Sequence, residues 1–344
     1  MNTAALIGLT APHSAGWLET LIHTPAIERI VVCDLEGVSP KSSDDLDGVY
    51  DSLDTLLASE ELNLALVSVR NDQAPQVAKQ LLSGGIPAIV EKPVARTAAE
   101  ITELNALSRE HSVPWATAFQ NRLAPAVCEI RRLVSAGALG RVVSVEGRMV
   151  TSSVQQRNKD HWLFAKKIAG GGILHWLAIH TIDLVRYVTG LEYASVGAHI
   201  DTLSDTDIDV EDTAAVSFSL SNGAIGSIHA GYMLRRRYGD IGLTIRGTLG
   251  DVTWNSFGFD GASHTVYLQS EAPGWMTIDT QKIELKPKEG PGYGGSIGTE
   301  YVTQFSKAVG TRGDFVTDGE DALKAMEFVE AAYLANSSRQ VVIL

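Results

Sequence analysis

Cysteine is nearly absent from this 344-residue chain. Only Cys33 and Cys128 occur, too few for a disulfide framework. No C-x-x-C pair and no H-E-x-x-H occurs either, so no metal is indicated. Basic charge is also short: 28 Lys and Arg face 41 Asp and Glu, a formal charge of −13. Such a surface repels phosphate backbones and anionic lipid heads, so neither nucleic acid nor a membrane surface is expected as a partner. No run reaches the roughly 18 unbroken apolar residues that span a bilayer. The first Lys or Arg is Arg29, so the N-terminus reads without the charged region of a secretory signal. These absences point to a cytoplasmic, reducing setting. What is present, 44% apolar and 20% charged residues, is a globular composition, and the length suits two domains.

The first 120 residues alternate short apolar runs with helix-period segments. Ala4 to Gly8, Ile30 to Asp34, Leu64 to Val69, Ala88 to Glu91 and Trp115 to Phe119 read as buried strands. Ser14 to Ile22, Ala74 to Leu82 and Thr97 to His111 read as the helices between them, the last opened by the capping-box spacing of Thr97 and Glu100. That alternation predicts a doubly wound parallel sheet over residues 1–121. From 122 to 344 the pattern turns to an α+β domain with a large, mostly antiparallel open sheet. Its strands include Arg141 to Val150, Ala194 to Ile200, Thr213 to Leu220, Ala224 to Tyr232, Ile241 to Ile245 and Val252 onward, with a hairpin at Asn222-Gly223. Helices are expected at Ala124 to Ala136, Gly172 to Thr189, Thr299 to Val309 and Gly319 to Ala335, and the last helices are able to pack back on the first domain. The glycine-rich stretch Gly290 to Gly298 reads as a mobile loop. Asp201 to Asp212, with six carboxylates and no basic residue, reads as a solvated acidic loop, because it lacks the glycine and terminal glutamate of a calcium hand.

The turn from Gly8 to Gly16 joins the first strand to the first helix, where a dinucleotide pyrophosphate rests on helix N-terminal amides. Thr10 and His13 stand at the second and third glycine positions of the usual G-x-G-x-x-G, so this fingerprint alone is weak. Asp34 ends the second strand and can accept from ribose hydroxyls while repelling a ribose phosphate. NAD is therefore favoured over NADP.

The fifth strand ends in Glu91-Lys92-Pro93, and there the chain resembles the Gfo/Idh/MocA family of sugar and polyol dehydrogenases. The resemblance continues through Asn121-Arg122, Gly137 to Arg141, Gly170 to Leu174, His180-Thr181-Ile182-Asp183, Val210-Glu211-Asp212-Thr213 and the terminal helix. It implies a Rossmann domain that binds NAD through Gly8, Thr10, His13, Ser14, Asp34, Arg70, Asn71, Glu91 and Lys92. It also implies an NAD(P)-dependent dehydrogenase or reductase acting on CH–OH, with a sugar or glycoside as substrate and a homodimer or homotetramer as assembly. The active site is expected where the carboxyl ends of the parallel strands meet the second domain's sheet.

Lys92 is implied as the acid–base group at the reacting oxygen, since burial and a cationic ring both lower an ammonium's pKa. In the helix after Gly172 the family pattern carries an aspartate, then a histidine four residues on, then an aspartate three beyond. His180 and Asp183 match, but Trp176 replaces the first aspartate. Spacings of four and three put Trp176, His180 and Asp183 on one helix face. His180 is the second catalytic candidate, with Asp183 orienting its ring. Trp176 transfers no proton; it either stacks on a sugar face or packs in the core. His161, in the loop before the glycine run, is placed at the sugar site, and Arg235-Arg236-Arg237 either meets an anionic substituent or is a solvated cluster. Two other readings stay open: a glycosidase or lyase with tightly bound NAD acting through transient C3 oxidation, and a catalytically silent NAD-binding sensor.

Overall fold

The computed structural model describes residues 2–38, 46–204, 206–235, 239–255 and 264–344. In chain order the first elements are β1 (Thr3–Ile7), α1 (Ser14–Ile22), β2 (Arg29–Cys33), β3 (Gly48–Tyr50), α2 (Leu53–Ser59), β4 (Leu64–Val67), α3 (Ala74–Ser83), β5 (Ala88–Val90), α4 (Ala98–His111) and β6 (Trp115–Thr117). They are followed by α5 (Pro125–Ser135), β7 (Val142–Ser152), α6 (Lys166–Ala169), α7 (Ile179–Thr189), β8 (Tyr193–Asp201), β9 (Thr213–Leu220) and β10 (Ile225–Leu234). The rest are β11 (Asp240–Gly247), β12 (Gly250–Asn255), β13 (Thr265–Ser270), β14 (Gln281–Glu284), α8 (Ser296–Thr311), α9 (Gly319–Ser338) and β15 (Val342–Ile343). Two compact units result: Met1–Gln120 with Lys288–Leu323, and Asn121–Pro287 with Lys324–Leu344.

The first unit is a six-stranded parallel sheet in the order β3-β2-β1-β4-β5-β6. Every residue of β1, β4, β5 and β6 is buried, which is why these strands are continuous apolar runs rather than alternating ones. The strand order reverses between β1 and β4, the place where doubly wound sheets open a ligand crevice at their carboxyl ends. The capping box of α4 forms as its spacing dictates, Thr97 Oγ1 accepting from Glu100 N and Glu100 Oε2 from Thr97 N. Two elements escape the pattern: β3 is an edge strand of three residues with no buried position, and α2 has only seven residues.

The segment Lys288–Leu323, within the 122–344 stretch whose closing helices are expected to be able to pack back on the first domain, groups with the first unit. In α8, Tyr301 and Phe305 are buried and stack edge-on with Phe315, and the Tyr301 hydroxyl donates to the Thr117 carbonyl at the end of β6. The glycine-rich loop before α8 is likewise not the free segment its composition suggests. The Tyr293 amide donates to the Gly16 carbonyl (3.0 Å) and to Thr20 Oγ1 (2.9 Å), so the loop lies against α1. Glycine makes this approach possible, since a Cβ on Gly292 would lie 2.3 Å from Thr20 Oγ1 and one on Gly298 2.3 Å from the Tyr293 carbonyl oxygen.

The second unit carries a nine-stranded sheet in the order β14-β13-β12-β11-β7-β10-β9-β8-β15, antiparallel except for the β7–β10 pair. Strand β9 alternates between buried and more accessible residues, the signature of a sheet with one covered face. Asn222-Gly223 makes the β9–β10 hairpin, Gly223 supplying a φ of +84°. The acidic segment is closed on itself: Asp212 accepts from the Leu203 and Ser204 amides and from the Thr213 hydroxyl, each at 2.9 Å. Asp205, Arg236 and Arg237 lie outside the described residues, and Arg235 is exposed.

Among the described residues, one stretch, Lys166–Thr189, is long and apolar enough to cross a membrane, and 83% of its most apolar window is buried inside the fold. It is not the continuous α-helix that the apolar run from Gly172 implies. Leu174–Ala178 is π-helical and α7 follows it directly. An i→i+5 turn adds a residue to the repeat, so α-helical spacing no longer relates Trp176 to His180.

A residue with a side chain at position 292 needs both a positive φ of 93° and space that Thr20 fills. Gly292→Ala should therefore destabilise the protein by about 2 kcal/mol, measured as a lowered urea midpoint at unchanged slope. An unshifted midpoint would show that the loop is not docked on α1.

Candidate active site

The carboxyl ends of β1, β2, β4 and β5 carry the expected cofactor residues of the first unit. Gly8 closes β1 with a φ of +92°, and a Cβ there would lie 2.4 Å from the Ser68 carbonyl oxygen, so only glycine lets this turn press onto β4. Ser14 is buried, and its hydroxyl bonds the Ser68 carbonyl (3.1 Å) and hydroxyl (2.9 Å); it fastens the turn to the sheet. Asp34 is buried at the end of β2, its Oδ1 accepting from the Glu36 amide at 3.2 Å. The Thr10 hydroxyl donates to the Glu36 carboxylate across the same mouth. Asp34 and Glu36 are close enough to repel, so this end of the crevice is doubly acidic. Arg70 grips Asp72 with two guanidinium nitrogens (3.0 and 2.7 Å), and Asn71 beside it is buried.

Glu91 and Lys92 follow β5 and are both buried, Lys92 to 1% exposure. Burial pulls the Lys92 ammonium down to about 8, against the opposing charge of Glu91. Glu91 Oε1 accepts from His13 Nδ1 (2.9 Å) and Trp17 Nε1 (2.8 Å), while Oε2 is buried with no hydrogen-bond partner. His13, expected at the pyrophosphate, thus lends its ring to Glu91 and stacks on Tyr293 with centroids 4.2 Å apart. Trp17 and Tyr293 had no signal in the sequence, since neither stands in a motif.

In the second unit, the glycines before the π-turn are explained by Glu211. Its Oε2 accepts from the Gly172 amide (2.7 Å), and its Oε1 from the Leu174 amide (3.0 Å) and the Tyr333 hydroxyl (2.8 Å). A Cβ on Gly172 would lie 1.9 Å from the Glu211 carbonyl oxygen, and one on Gly171 2.0 Å from the Tyr333 hydroxyl. Burial pushes the Glu211 carboxyl up while these donors oppose it. The Val-Glu-Asp-Thr and glycine motifs are therefore one structural device, caps for the segment that carries His180.

His180 and Asp183 are buried on α7. Both Asp183 oxygens accept from Arg122, Oδ2 from Nε at 3.0 Å and Oδ1 from Nη2 at 2.5 Å, in a pair with almost no exposure. Asp183 thereby joins α7 to the Asn121-Arg122 motif, a role the helical spacing did not reveal. Arg122 also lies over the Tyr187 ring at 4.6 Å. Trp176 is 6% exposed and meets Trp162 edge-to-face at 5.8 Å. His161 neighbours Trp162 at 5.3 Å, and burial lowers its imidazole pKa. Among the described residues no three His, Cys, Asp or Glu side chains group as a metal site would need.

Comparison with known proteins follows the same division. The chain is 27% identical over 224 residues to a levoglucosan dehydrogenase of Pseudarthrobacter phenanthrenivorans, a match spanning 58% of this chain and 57% of that one. It is 28% identical over 193 residues to a myo-inositol dehydrogenase of Streptomyces leeuwenhoekii, spanning 55% and 56%. The chain thus spans little more than half the length of these curated relatives. A solved levoglucosan dehydrogenase in complex with NADH and levoglucosan shares the fold, with a TM-score of 0.86 at 20% identity over 100% of this chain and 99% of that one. Residues 18–119 match the oxidoreductase family with an NAD-binding Rossmann fold, and residues 127–253 match the GFO/IDH/MocA C-terminal domain. With one match on each unit, in the family's order, the chain belongs to the GFO/IDH/MocA family of NAD-binding oxidoreductases.

Proposed function

We propose that the protein is an NAD-dependent oxidoreductase moving hydride between nicotinamide and a secondary hydroxyl of a sugar or glycoside. The observation that carries this reading is Lys92, a buried amine at the carboxyl end of β5 that burial brings to a pKa of about 8. A group so poised takes and returns a proton near neutral pH, as an acid–base residue must. The levoglucosan and myo-inositol dehydrogenases support a sugar or polyol as the substrate class.

The residues of the first unit fit a nicotinamide dinucleotide. Asp34 and Glu36 present acceptors suited to ribose hydroxyls, and Glu91 keeps a buried acceptor, Oε2, without a partner. Gly8, Thr10, His13 and Ser14 form the turn that would hold the pyrophosphate, with Arg70 and Asn71 beside it. When bound, the cofactor supplies the hydride acceptor or donor. Proton handling falls to the chain: Lys92 Nζ takes the carbinol proton in oxidation and returns it in reduction, with His180 as a second acid–base group. Trp176 and His161 bind sugar through ring faces and a ring nitrogen. Asp183 contributes through Arg122, by fixing α7.

Lys92→Met should leave NADH binding, read by fluorescence, nearly intact yet lower turnover by about 10²-fold or more, and His180→Ala should do likewise. Near-normal turnover in either variant removes that residue from the mechanism.

The two reaction directions should respond oppositely to pH. Oxidation needs the neutral amine, so kcat/KM should rise with pH and level off above about 8; reduction needs the ammonium and should fall through the same pH. Parallel limbs in the two directions would exclude Lys92 as the titrating group.

NAD(H) should bind at least about tenfold tighter than NADP(H), and Asp34→Ala should narrow the gap. Equal affinities in the unmodified protein would contradict the ribose assignment.

A further inference from the structure

We infer that His13, held by Tyr293, is a positioning residue that keeps Glu91 ionised beside Lys92, so that the dinucleotide turn and the Glu91-Lys92-Pro93 turn work as one unit. A carboxylate withdrawn from water takes up a proton unless donors or positive charge compensate it. Glu91 is 7% exposed, and its Oε1 receives two donors, His13 Nδ1 and Trp17 Nε1. A carboxylate can only accept, so Nδ1 carries the hydrogen and Nε2 is left facing the Tyr293 hydroxyl at 3.3 Å.

Tyr293 fixes that imidazole from the outside. Its ring stacks on His13 at an interplanar angle of 20° and meets Trp17 edge-on at 5.1 Å. Its amide is tied to α1 through Gly16 and Thr20, and a Cβ on Gly16 would come within 3.1 Å of the Tyr293 Cβ. The groups facing Glu91 are then His13 from the turn, Trp17 from α1, Lys92 on its own turn and Tyr293 from the loop. Burial would raise the Glu91 carboxyl, but His13, Lys92 and the Trp17 N–H together hold it at about 2. Without the His13 N–H, one neutral donor and the Lys92 charge remain. Glu91 then protonates in mildly acidic solution, and Lys92 loses its counter-charge there.

The catalytic half of this inference rests on the proposed role of Lys92; the state of Glu91 does not, and is read directly. The experiment is a carbon-detected NMR titration of the Glu91 carboxyl in the full-length protein without added cofactor, its signal identified by loss in Glu91→Gln. In the unmodified protein it should remain ionised down to about pH 3. His13→Phe, which keeps a stacking ring, should raise the titration by about two units or more, and His13→Gln, which keeps an N–H but not the ring's charge, should bring it part of the way back down. If His13→Phe does not fold, Tyr293→Leu should give the same upward shift by releasing the imidazole. In turnover, His13→Phe should gain an acid limb that is absent from the unmodified enzyme and from the His13→Phe/Glu91→Gln double variant. A purely structural ring would instead lower kcat/KM evenly at all pH. Glu91 titrating at one pH in all variants overturns the inference, as does His13→Gln titrating no lower than His13→Phe. Should Lys92→Met keep its turnover while Glu91 shifts as described, the role of Lys92 fails and the hold of His13 on Glu91 stands.

Discussion

A carboxylate removed from water must be surrounded by donors or it loses its charge, and in each unit one such carboxylate fixes a turn next to candidate site residues. Glu91 does so in the first unit, drawing the first turn of α1 onto the end of β5 through His13 and Trp17. Glu211 does so in the second, where two amides and the Tyr333 hydroxyl converge on it and anchor the π-turn that leads to His180. The two differ in outcome because their donors differ. Glu91 has the His13 and Trp17 N–H groups and the Lys92 charge against it and stays a strong anion; Glu211 has only neutral donors, and burial raises its carboxyl.

These arrangements depend on backbone approach, which explains where glycine is required. Gly8 lets the dinucleotide turn touch β4, Gly171 and Gly172 let Glu211 and Tyr333 close on the π-turn, and Gly292 and Gly298 let the loop before α8 lie on α1. Each of these contacts is shorter than a methyl group allows. A glycine-rich stretch can therefore be a close-packed one, and the loop carrying Tyr293 is the clearest case.

Trp176, where the family pattern carries an aspartate, puts an indole rather than a carboxylate on the π-turn before α7. The indole is accommodated edge-on against Trp162 with little exposure, and it offers an apolar surface with no proton to transfer. The Arg122–Asp183 pair is buried and bidentate, and a pair of that geometry fixes α7.

By itself the sequence determined the parallel sheet, because β1, β4, β5 and β6 are buried on both faces and must be apolar throughout. It also determined the turn at Asn222-Gly223, the capping box at Thr97, and the place of Lys92 at a strand's carboxyl end, all of them local consequences of a few adjacent residues. Tertiary structure decided the rest. No local pattern says that Tyr293, 280 residues away, stacks on His13, that α8 joins the first unit, or that Asp183 pairs with Arg122. The π-turn likewise follows from what Glu211 and Tyr333 hold in place rather than from the apolar run that reads as a plain α-helix. Hydrogen bonds and ring contacts between distant segments leave no periodicity behind, and it is those contacts that set the charge of Glu91 and the position of His180.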